Sequence, residues 1–434
     1  MTTLHDRLAD LADDAPPGGS DPGLWQRARR YHRRRRAGTA LIAIVVVLAL
    51  AGLGTLDWWR ARPAPVPADS TPALPSKLWK PNVWLPGTDD AGPLGQLAAV
   101  MPAFRGSWTG RTDGLVAVSA ATGEYRFLDL PDLAPHVDVA LAPDGRHLAF
   151  WYTGETRESP NSESGPVVGV AVYDTTTGEV VRHAVPTDHG LEGEDLVWAD
   201  ADRLVFSYWH YAGGDADDEM AQSSGTDWSG LLLWAPGEGD SVTELGRGGA
   251  VESSTGHGQL LLSGERWSWV DVDRPGDRVR FEMPEVGLMY VAAVDDRGTR
   301  IAWPTGTRNP NTLSTAPIRE GRVEGTAVPG NGRTYRALAW LDAHRVAVVQ
   351  LAGRGYVKRA LRVVDVRTGA REEVLRYPQR GGQPLLATDL LGVPSVDRPK
   401  PPDPVSPRKI AAGMGAVALG GVVALLWWRR RVRA

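Results

Sequence analysis

The apolar positions of the chain fall into two patterns. Near each end is an apolar run without a charge: residues 37–56 (A-G-T-A-L-I-A-I-V-V-V-L-A-L-A-G-L-G-T-L) and residues 410–428 (I-A-A-G-M-G-A-V-A-L-G-G-V-V-A-L-L-W-W). As helices rising about 1.5 Å per residue, both reach about 30 Å, the hydrocarbon thickness of a bilayer. Between them the apolar residues form short β-branched and aromatic runs broken by Gly, Pro, Asp and Asn, the mark of an all-β region.

That middle region repeats itself. Val137 to Leu141 turns at Pro143-Asp144-Gly145 into His147 to Tyr152, and Val168 to Asp174 turns at Thr175 to Gly178 into Glu179 to Val185. Pro fixes φ and Gly accepts φ > 0, so such turns carry a mechanism. The two-hairpin unit returns around Asp200, His257, Arg297 and Ala343, and successive first turns are 56, 57, 40 and 46 residues apart. Four strands per 40–50 residues is what a β-propeller blade requires. A hairpin at Leu115 to Leu128 lacks a partner, and Pro384 to Leu391 is a strand-like remainder; pairing them would close a ring. The expectation is a six-bladed propeller, seven being the other count, over residues 95–392.

The string Leu141-Ala-Pro-Asp-Gly-Arg-His-Leu-Ala-Phe150 resembles the S-P-D-G-x-x-L-A-F signature of TolB-like and Trp-Asp-repeat-like propellers, with Ala142 in place of Ser. Val294 to Trp303 is a fainter copy, and the Gly-His…Trp-Asp pair of eukaryotic-type repeats is missing. The layout also resembles membrane-bound propellers of high-GC bacteria whose genes neighbour an extracytoplasmic-function sigma factor. That resemblance implies a regulatory cytoplasmic tail, although a chain without cysteine cannot form a zinc-type anti-sigma domain.

Charge sets the expected topology. Seven arginines lie between Arg27 and Arg36, before the first apolar run, and Arg429, Arg430, Arg431 and Arg433 follow the second. Positive-inside counting puts both termini in the cytoplasm and the propeller outside the cell membrane. Trp58-Trp59 and Trp427-Trp428 stand where indole rings meet lipid headgroups. Residues 1–36 carry +3 and the last six +4, so with −4 overall the portion between carries −11. Such an exterior excludes nucleic acid as a partner. The division is a tail (1–36), a span (37–56), a Pro-rich linker (57–94), the propeller (95–392), a second Pro-rich linker (393–409), a second span (410–428) and a basic end (429–434). The linkers read as polyproline stalks. Ala49-Leu50-Ala51 resembles a signal-peptidase site, so a cleaved first span is the alternative.

The 434 residues include 43 arginines, five lysines and no cysteine, which excludes disulfides, thiolate metal sites and thiol nucleophiles. No G-x-S-x-G, H-E-x-x-H, P-loop or dinucleotide fingerprint occurs. No catalytic, metal or cofactor set is therefore expected, and the reading is not an enzyme. Partner contact is assigned to the acidic insertion with Asp215, Asp217, Asp218, Glu219 and Asp227, which lacks the spacing of an EF-hand loop, and to Leu4, Leu8 and Leu11 on one helical face of the tail. Tryptophans inside strand runs are expected to pack between blades. Ala412, Ala416, Gly420 and Ala424 form a small-residue stripe that admits a neighbouring helix. Together these point to a two-pass membrane protein that binds or senses an external ligand or protein and signals through its tail, potentially to a sigma factor. The alternative is a surface scaffold whose ends only anchor it.

Overall fold

The computed structural model describes residues 71–433 except 136, 159–164, 212–224, 247–248, 284–291, 306–311, 331–332, 353–357 and 378–382, together with residue 13. The chain divides into two units, one ending at Pro404 and one that includes Val405 onward.

Among the described residues, the first unit contains six sheets, numbered here I to VI, each built on four antiparallel strands; Gly225–Trp228 adds to the third, and Gly321–Arg322, in parallel, to the fourth. Sheet I joins Leu385–Leu386 to Leu97–Gly106, Arg111–Ser119 and Tyr125–Phe127. Sheet II is Val139–Leu141, His147–Thr153, Val167–Asp174 and Val180–Ala184; sheet III is Leu191–Trp198, Leu204–Tyr211, Leu231–Trp234 and Val242–Gly246. A single pair, Val167 with Leu191, links II to III. Sheet IV is Ala250–Ser254, Gln259–Ser263, Trp267–Asp271 and Arg274–Glu282; sheet V is Ala293–Val294, Arg300–Thr305, Thr312–Pro317 and Thr326–Ala327. Sheet VI is Thr334–Trp340, Arg345–Ala352, Lys358–Asp365 and Arg371–Tyr377.

From sheet I round to sheet VI, the first strand of each sheet touches the first strand of the next. Six apolar clusters fill the six interfaces, including one that joins VI to I, so the ring is closed and propeller-like. The side-chain period of two explains why these strands read as continuous apolar runs. In His147–Thr153, Leu148, Phe150 and Tyr152 enter the I–II cluster while Ala149 and Trp151 enter the II–III cluster. In Arg345–Ala352, Val346 and Val348 face sheet V while Ala347 and Val349 face sheet I. Trp151, Trp198, Trp234, Trp303 and Trp340 are all buried between sheets.

Closure pairs Ala99 with Leu386 and Val100 with Leu385, joining the two ends of the propeller region. The sequence anticipates the closure but not strand Leu97–Gly106, whose alanines and Pro102 lower its β-propensity. Only Leu385–Leu386 of the expected closing run is strand; Thr388–Gly392 is a 3₁₀ turn.

The proline-rich flanks are not free stalks where they are described. Leu78 N–H donates to the Arg376 carbonyl (2.7 Å) and Arg376 N–H to the Ser76 carbonyl (3.0 Å), which adds residues 75–78 to the outer edge of sheet VI. A second strap runs parallel outside the first: Pro75 bridges Val396, and Val396 N–H donates to the Leu74 carbonyl (2.9 Å). Leu74, Leu78 and Leu85 are buried in the VI–I cluster, and edge positions tolerate proline because no ladder donor is needed there.

In the other unit, helix Pro407–Arg433 encloses the whole apolar run 410–428. Leu419, Val422, Val423, Leu426 and Trp427 are exposed on it. Among the described residues no helix is long and apolar enough to cross a membrane. The side chains of Met414, Val417, Ala418, Trp428, Val432 and Arg433 of this helix lie outside the described residues. The first apolar run also lies outside the described residues.

Candidate binding site

In sheets II to VI the first and second strands meet at the end opposite to that at which the second and third meet. Two of the first-to-second turns share a construction. Asp200 Oδ1 accepts the N–H groups of Asp202 (3.0 Å) and Arg203 (2.8 Å), while its Oδ2 takes the Arg203 guanidinium (2.7 Å). Asp342 does the same with His344 (2.7 Å) and Arg345 (2.9 Å), closed by the Arg345 side chain (2.6 Å). Burial would raise both Asp342 and Asp295, but backbone N–H donors and the local arginine outweigh it and hold each carboxyl below its ordinary range.

A tryptophan two residues earlier ties each of these two turns to the preceding sheet. Trp198 Nε1 donates to the Ala140 carbonyl (3.0 Å), and Trp340 Nε1 to the Ala293 carbonyl (3.1 Å). His147 stacks on Trp198 with ring centroids 5.7 Å apart, and its Nδ1 lies 3.2 Å from the Ala201 carbonyl. Facing a carbonyl, that nitrogen must carry the hydrogen. Arg300 sits over Trp340 at 4.4 Å and donates to the Ala343 carbonyl. The repeated signature, Trp198-x-Asp-Ala-x-Arg203 and Trp340-x-Asp-Ala-x-Arg345, was available in the sequence, where its tryptophans read only as packing residues.

Beside the first latch opens a cleft of about 910 Å³ bordered by His147, Arg203, Pro236, Glu238, His257 and Asp389. Ring closure delivers Asp389, whose N–H donates to the Pro143 carbonyl (3.1 Å). Its carboxylate is not held by a turn as Asp200 is. Burial raises its pKa and nearby Asp144 and Asp296 add to the rise, against His257, which lowers it. Asp389 thus shares the cleft with exposed Asp202 and Glu238, which have no turn clamp either, and with the half-exposed His257 on the same rim. Among the described residues no group of three or more His, Asp or Glu could hold a metal ion.

Deeper in the ring, Asp195 is buried and accepts Ser207 Oγ (2.6 Å) and the Val251 N–H (2.9 Å). It thereby ties sheet III to sheet IV. Desolvation raises its pKa against those two donors.

On the opposite end of the ring, a groove of about 750 Å³ runs between sheets I and II, lined by Val100, Phe104, Leu115, Val139 and Leu385 among others. The insertion assigned to partner contact leaves from this end. Asp227 is exposed on strand Gly225–Trp228, opposite His210. Asp215, Asp217, Asp218 and Glu219, and Leu4, Leu8 and Leu11 of the tail, lie outside the described residues. Sequence reasoning did not single out Asp389 or His257.

No family model matches the chain, and no curated protein matches it in sequence. Solved structures of propeller-like proteins do resemble it distantly. Oligogalacturonate lyase from Vibrio parahaemolyticus matches at TM-score 0.39 and 11% identity, over 72% of this chain and 80% of that one. An oligogalacturonate lyase in complex with manganese gives 0.40 and 11%, over 67% and 78%. Apo AztD from Citrobacter koseri gives 0.35 and 14%, over 66% and 74%. Likenesses of this size carry no argument about chemistry.

Proposed function

We propose that the chain is a membrane-tethered binding protein without catalytic activity. Its propeller stands outside the cell membrane, and its cleft beside His147 and Asp389 takes a ligand with a cationic or hydrogen-bond-donating group. The observation that carries the reading is that cleft, which presents Asp389, Asp202 and Glu238 beside an Asp200 carboxylate that is tied to its own turn. The tether is the pair of apolar runs, residues 37–56 and 410–428, with arginine collars on the cytoplasmic side. The N-terminal tail, through Leu4, Leu8 and Leu11, would contact a cytoplasmic partner of the sigma-factor kind. The Ala49-Leu50-Ala51 step favours a second reading, a surface scaffold whose first run is cleaved and which sends no signal.

A chain without cysteine suits the test. Ser20→Cys and Thr176→Cys are placed singly and intact cells treated with a membrane-impermeant maleimide. The reading expects Thr176→Cys to label and Ser20→Cys to stay protected yet present in the mature chain. Loss of the segment around Ser20 would leave the scaffold; protection of both positions would put the propeller inside the cell. Deleting residues 2–21 should alter gene expression under the signalling reading and leave it unchanged for a scaffold.

A further inference from the structure

We propose that the hairpin tip of sheet I is a lipid-contacting foot, inserting Trp108 and Phe104 into the headgroup layer of an anionic membrane. This rests on the tethered reading above. Strand Leu97–Gly106 and the turn that leads to Arg111–Ser119 carry two large apolar side chains into solvent, with Phe104 57% and Trp108 67% exposed. Rings of this kind settle at the water–hydrocarbon boundary, where an apolar body and a polar edge are both satisfied.

The described contacts fix where the tip lies relative to the chain's exit. Gly106 N–H donates to the Val83 carbonyl (2.7 Å), and the Trp84 ring lies against Gly106, where a Cβ would come within 2.9 Å of it. One residue earlier, Asn82 holds the last residues of the second strap through the Asp403 carboxylate and the Pro404 carbonyl (3.4 Å). Three residues on, at Pro407, the helix containing the 19-residue uncharged run begins, a reach of about 10 Å. The tip is therefore packed beside Asn82, which holds Pro404, three residues of chain before the helix starts. That end of the run has no aromatic residue of its own, only Arg408 and Lys409 before Ile410.

Charge agrees with a lipid surface over a second copy of this acidic chain. Four of the five lysines, Lys77, Lys80, Lys400 and Lys409, lie in the two straps and at the start of the helix. Lys80, Arg111, Lys400, Arg408 and Lys409 are exposed near the tip or the chain exit, against Asp113 and Asp403. Basic residues flanking aromatic ones suit anionic headgroups.

The test uses the full-length chain in phosphatidylglycerol-containing vesicles. An environment-sensitive fluorophore is attached at Trp108→Cys and, as a control on the opposite end of the ring, at exposed Asp202→Cys. The proposal expects the probe at 108 to shift to the blue and be quenched by spin-labelled lipid, while the probe at 202 does neither. In zwitterionic vesicles, or with Lys80→Glu and Arg111→Glu together, quenching at 108 should weaken. A solvent-like probe at 108 in chains that float with the vesicles overturns the proposal alone. A blue-shifted but unquenched probe means that protein covers the tip and also overturns it. Failure of every variant to float overturns the tether itself.

Discussion

The II–III and V–VI interfaces carry the same latch with one substitution, and the difference separates a permanent clamp from an adaptable one. Both use a tryptophan donating to the preceding sheet and an aspartate-capped turn. At V–VI the residue over the indole is Arg300, which is also held by Asp295 Oδ2 (2.9 Å) and donates to the Ala343 carbonyl. At II–III it is His147, which stacks on the indole and faces the Ala201 carbonyl, with no ion pair among the described residues. The arginine fixes its interface through three partners, whereas the histidine leaves an edge beside which the cleft opens. Binding surfaces are drawn from such less constrained edges on a rigid frame.

Removing the indoles should produce the largest effect. Trp340→Ala and Trp198→Ala each leave a cavity and an unpaired carbonyl in a buried interface, which costs about 3–5 kcal/mol. Trp340→Ala should fall at the upper end because it also removes the cation–π contact with Arg300. Urea unfolding of both variants checks the order; equal losses would mean that the two latches do not differ energetically.

Exchanging the capping residues sharpens the comparison. Arg300→Ala should cost about 1–2 kcal/mol, from the cation–π contact and a charge-assisted hydrogen bond at a partly exposed site. His147→Ala should cost less, because it removes a ring stack and one hydrogen bond but no ion pair. His147→Arg should stabilise the II–III interface and narrow the cleft, read as a higher melting temperature with weaker ligand binding. A higher melting temperature with unchanged binding would separate the latch from the cleft.

The two latches also mark how far the sequence could be read. The five turn positions and the closure of the ring were legible because strands buried on both faces give continuous apolar runs punctuated by Asp, Gly and Pro. Strand Leu97–Gly106 was not, since alanine and Pro102 carry little β-preference and its place is fixed by Leu385–Leu386, nearly 300 residues away. The straps read as stalks because proline content says nothing of Leu74 and Leu78, whose burial depends on the groove between sheets VI and I. Asp389 was illegible for the same reason. Nothing in T-D-L-L-G predicts that closure brings it beside Asp144, His257 and Asp296.

Acid should act on the clamped turns first. Asp295, Asp342 and Asp365, the last of which accepts the Arg367 (3.0 Å) and Thr368 (2.9 Å) N–H groups in its own turn, are held below the ordinary carboxylate range, where each folded carboxyl releases its proton more readily than the unfolded chain's. Their stabilisation is fully present above the unfolded value of about 4 and is lost as pH falls through the depressed folded values. The melting temperature should therefore drop steeply only below about pH 4. Asp295→Asn should lower it at neutral pH and flatten that acid limb; an unchanged limb would show that the V–VI clamp does not govern acid stability.

The smallest effect on stability should come from Asp389→Asn, and its sign is the opposite. With a folded pKa raised by burial and by Asp144 and Asp296, Asp389 favours the fold fully below its unfolded pKa. That contribution is lost as pH rises through the raised folded value, so at neutral pH the ionised carboxylate strains the cleft. Asparagine relieves the repulsion, and the melting temperature at pH 7 should stay level or rise slightly while its difference from wild type vanishes in acid. A fall at pH 7 would mean that Asp389 makes a structural contact comparable to that of Asp295. If stability holds and binding of a cationic ligand is lost, then the Asp389 carboxylate beside the histidine latch serves recognition and not the ring.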